Sequence, residues 1–344
     1  MARVKQVVTV NGQRHIDRNN NFGGRGSPKV WISFMSLVTW IAIHQRLIDA
    51  LKTYMDDSFS FECVGNMLYY PPYQCKFLAK QTRLLQLWDE IGLPHERPKQ
   101  LFGAPLTIIG FDVDPNAMTA ILPVHKKEEL VSHLRRFTVK HCRWSLREFQ
   151  QLAGWCEWSF NVFPLLKPRL SAIYDKIRGK TDPFARLHIN NAIIRKLHWM
   201  ADHIERSPGL LFYKSLDFDP VSDDVMVAYT DASGIGLGIW FPHEDFACQA
   251  PLPTCELTDT IFFFESLAVC SAIHSIRNMD SDPLSRLLIY TDNMNTVAMF
   301  NSLHALPAYN SVLLSAVDVL LEYGVDLRVE HVNGAHNVVV DVLS

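Results

Sequence analysis

The sequence predicts an α+β region followed by an α/β domain built on a mixed sheet. Three observations carry that expectation. From residue 221 to the end, apolar strand-like runs (VMVAYTDASGIGLGIWF, RLLIYTD, VDLRVEHV) alternate with helical patterns, the mark of an α/β domain. Upstream, short strand pieces and hairpin signals precede a mostly helical stretch. The charge divides at the same place. Val221 to Ser344 holds 16 acidic residues against three arginines and no lysine, a formal −13, and the remainder is +10. A basic body joined to an acidic domain suits phosphate binding in the first and metal-assisted chemistry in the second. Two independently solvated surfaces would account for the same asymmetry. The expected segments are 1–123, a helical 124–220, and 221–344.

The totals fit this. A chain of 344 residues, 48% hydrophobic, can fill two cores or three small ones. It has no run of about 18 apolar residues to span a membrane and no signal-peptide layout. Seven scattered cysteines without a CxxC pair suit reduced thiols in an intracellular protein, cytoplasmic or nuclear.

In chain order, Asn11-Gly12 between QVVTV and RHID signals a hairpin. The Gly-rich bend FGGRGSP, Phe22–Pro28, opens a helix expected over about Lys29–Leu51. KTYM and SFSF read as two strands meeting at Asp56-Asp57. A helix is expected over about Gln74–Glu90, ended by Gly92 and Pro94. LTIIGFDVDPNAMTAILP reads as two strands around a turn at Asp114–Asn116. Residues 126–177 read as mostly helical, and Ser145 and Glu148 have capping-box spacing. GKTDP is a loop, and a further helix is expected over about Ala185–Arg206, stopped by Ser207-Pro208-Gly209. In the last region, helices are expected over Glu265–Ile276, Asn310–Glu322 and the closing NVVVDVLS.

Four acids stand out by position. Asp231 and Asp292 end predicted strands, Glu265 lies early in a helix, and Asp341 opens the last one. Strand ends and helix starts are where an α/β sheet builds a site. Four acids meeting there call for a divalent cation, Mg²⁺ or Mn²⁺, with hard oxygen ligands. Two such ions can activate a water and stabilise a leaving phosphodiester oxygen. Each acid singly also reads as an ordinary surface or capping residue.

TDASGIGLG, ESLAV, TDNMNT and GAHNVVVDVLS, in that order, resemble the type I ribonuclease H domain of retroelement polyproteins. The resemblance implies an RNase H-like mixed-sheet fold with Asp231, Glu265, Asp292 and Asp341 as metal-binding, catalytic carboxylates. Asn337 also matches the family's closing segment, which normally reads Asn, two residues, Ala, Asp, any residue, Leu, Ser; here Val340 stands in place of the Ala. His336 lies near the place of a histidine that the family sometimes uses, and equally reads as a solvent-facing loop residue.

Upstream, YMDD (Tyr54–Asp57) resembles the metal-binding hairpin of a reverse transcriptase palm, and FGGRGSP the segment preceding it. The resemblance implies Asp56 and Asp57 as catalytic metal ligands, Lys99 as the lysine near a bound deoxynucleoside triphosphate, and the second segment as a thumb and connection. GFDVDPNAMTAILP and FQQLAGWCEWSFNVFPLLKPRL are most similar to a DIRS-like or related fungal retrotransposon lineage. Asp17, the only acid before Asp49, sits in the wrong place to complete the palm's metal set. Lys126, Lys127, Arg135, Arg136, Lys140, Arg143 and Arg147 lie within 22 residues. They read as contacts to a primer–template or RNA–DNA hybrid backbone, or as a solvated helix face. Trp155 and Trp158, three apart, suit a helix–helix seam.

The resulting expectation is a retrotransposon reverse transcriptase/ribonuclease H fragment that begins inside the palm and stops within its last helix. Polymerase activity would be lost, and RNase H activity weak or absent. The alternative is a degenerate or co-opted nucleic-acid-binding protein without chemistry.

Overall fold

Asn11 and Gly12, at φ 50° and 77°, turn the chain between β1 (Val7–Val10) and β2 (Gln13–Ile16), the primed-turn geometry their residue types favour. The computed structural model describes residues 7–16, 26–139, 142–211, 218–253, 261–278 and 286–344. Asp17 and Phe22–Arg25 lie outside the described residues. The chain divides into two compact units, Met1–Phe111 and Asp112–Ser344.

In the first unit, α1 (Ser27–His44) ends earlier than expected, and Leu47 and Ala50 then take positive φ, which no helix sustains. Its Val38 and Ala42 pack with Ile48, Leu51, Leu84 and Leu87. The expected hairpin forms from β3 (Lys52–Tyr54) and β4 (Asp57–Phe59). Its turn is Met55-Asp56, one residue earlier than the sequence suggested: Tyr54 pairs with Asp57, and Met55 carries the positive φ of 54°. β5 (Met67–Tyr70) pairs with β6 (Cys75–Leu78). That pairing takes residues expected in a helix, so α2 runs Ala79–Ile91. Gly92 closes it at φ 71°, the left-handed cap that glycine tolerates. β7 is Leu106–Ile108.

The second unit begins within β8 (Phe111–Asp114) and continues with β9 (Thr119–Ile121). Asp114 turns the chain between them, its Oδ1 accepting from the Asn116 and Ala117 N–H groups at 2.9 and 3.2 Å. A helical block follows: α3 (Val124–Phe137), then, after β10 (Arg143–Ser145), α4 (Leu146–Ser159) and α5 (Ser171–Ile177). The capping box at Ser145 and Glu148 is present on both sides. β11 (Arg186–His188) pairs antiparallel with β10. The expected helix from Ala185 therefore begins only at α6 (Asn191–Arg206), capped by Asn190. β12 (Leu210–Leu211) joins β9.

The mixed sheet contains β13 (Val225–Ala232), β14 (Gly236–Phe241), β15 (Phe246–Pro251), β16 (Arg286–Thr291) and β17 (Asp326–His331). Their order is β15-β14-β13-β16-β17. β13, β16 and β17 run parallel, β14 pairs antiparallel with β13, and β15 pairs antiparallel with β14. The helices are α7 (Ile261–Ser275), α8 (Met294–Ser302), α9 (Asn310–Tyr323) and α10 (Val338–Leu343). Alternation along the strands sorts the two faces. Met226, Ala228, Leu237, Ile239, Leu287 and Ile289 pack with α7 and α9. Val225, Val227 and Leu288 pack with Phe218 on the other face. Gly236 and Gly238 alternate with Leu237 and Ile239, and α10 lies over them. A Cβ on Gly238 would stand 2.6 Å from the Val340 carbonyl oxygen and one on Gly236 3.0 Å from that of Ser344.

The helical block and the mixed sheet are stitched together within this unit. Arg169 pairs with Asp318 of α9 and stacks 3.4 Å above the Trp199 ring of α6. Buried Asn310 donates to the Pro168 carbonyl at 3.2 Å and to the Ser171 hydroxyl at 2.9 Å. Among the described residues, no helix is long and apolar enough to cross a membrane.

Candidate functional site

β13 and β16 are parallel neighbours, so their C-terminal ends lie side by side. Those ends carry Asp231 and Asp292. α7 packs across the same strands and brings Glu265 from its first turns. One carboxylate oxygen from each of Asp231, Glu265 and Asp292 lies within 4.8 Å of the other two. Glu265 is buried, Asp231 is 9% exposed, and Asp292 is open to solvent.

The electrostatics are those of a crowded anionic site. Burial first, then the charges of Asp231 and Asp292, push the Glu265 carboxyl up to about 8. Hydrogen bonds from the Thr291 hydroxyl, at 3.4 Å, and the Ala232 N–H oppose the rise. Burial and Asp231 raise Asp292, and burial with Asp231 and Asp292 raises Asp341. Asp341, on α10, thus feels the charges of Asp231 and Asp292 but is not among the three whose oxygens lie within 4.8 Å of one another. Clustered hard oxygen donors of this kind suit a divalent cation such as Mg²⁺ or Mn²⁺. The triad is capable of coordinating a divalent metal.

Supporting residues hold α10 against the sheet. Directly opposed strand residues share a face, so Asp231 and its partner Gly238 both look toward α10. Ser344 donates its hydroxyl to Asp231 Oδ2 at 2.6 Å, and Ser233 donates to the Ser344 carbonyl at 2.7 Å. Asn337, 1% exposed, donates to the Thr230 carbonyl at 3.1 Å. After β17 the chain passes close under Asp292: a Cβ on Gly334 would meet its Oδ2 at 3.2 Å.

Sequence reasoning missed Ser344, Ser233, Thr291 and His331. His336 lies in a short 3-10 turn, whereas His331 ends β17 opposite Thr291 and acts electrostatically on Asp292. Its place at the end of a strand parallel to β16 was the available signal.

The other candidates are placed separately. Asp56 and Asp57 are exposed at the hairpin tip, which is tied to α1 by the Trp31 indole donating to the Met55 carbonyl at 2.9 Å. Among the described residues, the acids that gather three or more are Asp231, Glu265 and Asp292; Asp56 and Asp57 are in no such group. Lys99 is exposed in a 3-10 turn, 3.9 Å from Glu96. The loop before it is held by His95, whose ring bonds Asp89 at 3.0 Å and Tyr73 at 2.6 Å.

Of the bases, Lys126 lies over the half-buried Trp158 ring and Lys127 donates to the Ser207 carbonyl at 2.9 Å. Arg135 bridges Glu205 and Asp202 of α6 at 2.7 and 3.3 Å. Arg136 sits over Trp144, and Arg143 and Arg147 are exposed. α3 ends at Phe137, and Lys140 lies outside the described residues.

No protein-family model matches the chain, and no curated protein sequence matches it. Among solved structures it is similar to a foamy viral protease–reverse transcriptase in complex with double-stranded DNA, at 15% identity and a TM-score of 0.47 over 94% of this chain and 52% of that one. It is also similar to the foamy viral protease–reverse transcriptase in complex with an RNA/DNA hybrid, at 15% identity and a TM-score of 0.44 over 94% and 40%. RNase H1 from Halobacterium salinarum NRC-1 aligns at 15% identity and a TM-score of 0.29 over 35% of this chain and 93% of that one. The chain thus spans about half the length of the first protein and 40% of the second.

Proposed function

We propose that the 221–344 region is a metal-dependent phosphodiesterase of the RNase H type that hydrolyses the RNA strand of an RNA–DNA hybrid. The observation that carries this reading is the convergence of Asp231, Glu265 and Asp292 within 4.8 Å at the ends of parallel strands. The substrate class rests on the motif order TDASGIGLG, ESLAV, TDNMNT, GAHNVVVDVLS. The resemblance of residues 1–123 to a partial palm and of 124–220 to a thumb and connection supports a retroelement origin. The DIRS-like or related fungal lineage is the finer form of that proposal.

Asp231, Glu265 and Asp292 would hold the metal, with Asp341 as the fourth carboxylate. Bound divalent cations supply Lewis-acid activation of a water and charge neutralisation at the leaving oxygen. The residues divide the remaining work. Buried Glu265, oriented by Thr291 and the Ala232 N–H, would be the fixed ligand. Ser344 fixes one oxygen of Asp231 and leaves the other for coordination. Exposed Asp292 and Asp341 face the side from which a substrate phosphate approaches.

The test is cleavage of a labelled RNA–DNA hybrid by the full chain in Mg²⁺, compared with Asp231→Asn and Asp292→Asn. The expected result is hybrid cleavage that each substitution lowers by about a hundredfold or more, the scale of losing one electrostatic catalytic group. Hybrid binding without cleavage, indifferent to both substitutions, would instead establish the non-catalytic binding protein.

A further inference from the structure

The sequence offered a helix face as the nucleic-acid contact, but two of its bases are engaged elsewhere. Half-buried Lys127 holds a carbonyl, and Arg135 is shared between two acids. The exposed bases gather around the β10–β11 ribbon. Arg143 pairs with His188 across the ladder and Ser145 with Arg186, so these four side chains share one face. Arg143, Arg186 and His188 are exposed there. The intervening pair, Trp144 and Leu187, faces inward: Leu187 is 8% exposed and Trp144 stacks on Phe137 with centroids 4.2 Å apart.

The platform is firm. The ladder continues through the Leu146 and Arg147 N–H groups, which donate to the Ala185 and Pro183 carbonyls at 3.0 Å each. Arg147 and Arg136 add exposed charge at its end and side. The acids nearby are occupied. Glu148 accepts from the Ser145 N–H and hydroxyl at 2.7 Å each and stands 3.8 Å from Arg186, whose guanidinium donates through one nitrogen to the Arg143 carbonyl at 3.3 Å and keeps its other donors. Asp182 caps the Phe184 N–H at 3.0 Å.

We propose that the outer face of the β10–β11 ribbon, through Arg143, Arg186 and His188 with Arg136 and Arg147, holds the sugar-phosphate backbone of the nucleic-acid duplex. This rests on the nuclease reading for the identity of the duplex, a hybrid, and adds a contact surface that reading does not contain. Guanidinium groups on a flat ribbon recognise phosphate by charge and hydrogen bonding and carry no sequence information. Plain duplex DNA is therefore held by the same residues.

The experiment is fluorescence anisotropy of a labelled RNA–DNA hybrid with the full chain in EDTA, at a series of salt concentrations. Each phosphate contact contributes about 0.9 to the slope of log K against log salt. Arg143→Ala with Arg186→Ala lowers the slope by about 2 and weakens binding about tenfold or more near 0.1 M salt. Arg143→Lys with Arg186→Lys keeps the slope, and Arg135→Ala, a base already paired, leaves it unchanged. All three substituted positions are at the surface, and an unaltered Tm checks the fold of each variant. An unchanged slope in the double alanine variant overturns the proposal, as does the lack of salt-dependent binding by the unmodified chain. Binding that depends on the ribbon in a chain that never cuts the hybrid overturns the nuclease reading alone. Cutting with unaltered KM in the double alanine variant overturns the ribbon alone.

Discussion

Gly238 lies so close beneath Val340 that a Cβ at the glycine would stand 2.6 Å from the Val340 carbonyl oxygen. The obstruction is backbone, and the same Cβ would meet Leu343 Cβ at 3.0 Å and the Ser344 N–H group's nitrogen at 3.1 Å. Gly238→Ala therefore pushes α10 off the sheet. Overpacking of this kind costs about 1–3 kcal/mol, visible as a lower Tm. The larger effect falls on the site, because α10 carries Asp341 and the Ser344 hydroxyl that bonds Asp231. A displacement of about 1 Å costs about a hundredfold in rate. Hybrid cleavage by Gly238→Ala should fall by that order while most of the fold survives. Full activity would show that α10 can move without consequence.

The pH dependence of the metal-free protein follows from Glu265. Its carboxyl in the folded chain titrates near 8, well above the ordinary glutamate value of 4.5, so the folded state holds a proton that the unfolded chain has released. Stability is then highest below the unfolded value, falls as pH rises through the window between the two, and is fully reduced above the folded one. The raised Asp292 and Asp341 act in the same direction. Thermal unfolding in EDTA should show Tm dropping by about 5 °C or more from about pH 5 to about pH 9. Glu265→Gln should flatten that dependence and raise Tm at the alkaline end. Mg²⁺ should restore Tm in the unmodified chain most strongly at high pH, where no proton need be displaced. A Tm that rises with pH in EDTA would contradict the repulsion argument.

The YMDD hairpin gives a contrasting expectation. Its turn projects Asp56 into solvent, with Asp57 at the start of the returning strand, and among the described residues no third acid joins them within coordinating distance. We expect no Mg²⁺-dependent primer extension by this chain, and no change in Tm or in hybrid cleavage for Asp56→Asn with Asp57→Asn. Extension abolished by that pair of substitutions would require a ligand set that these residues do not form.

What was legible in the sequence was what long regular patterns encode. The alternation from β13 to α10 placed the sheet, and with it the strand-end acids, because parallel neighbours bring their C-terminal ends together. The Asn11-Gly12 turn and the Ser145–Glu148 cap were legible because a single local geometry demands those residues. β6 and β11 were hidden inside expected helices, since three or four residues carry too little periodicity to declare a strand and their pairing is decided by a distant partner. The fate of Lys127 and Arg135 was equally out of reach, as their carbonyl and carboxylate partners lie 80 and 67–70 residues away. Ser344 and His331 become site residues only when α10 and β17 are laid beside β13 and β16.

The stitch made by Arg169 with Asp318, and by Asn310 with Pro168 and Ser171, joins the block that bears the arginine ribbon to the sheet that bears the acids. A grip and a blade mounted on one body act as a ruler. On the two proposals above, the stretch of duplex between the held backbone and the cut bond would be set by the protein rather than by the sequence of the nucleic acid, and fragment lengths would be counted from where the duplex is held.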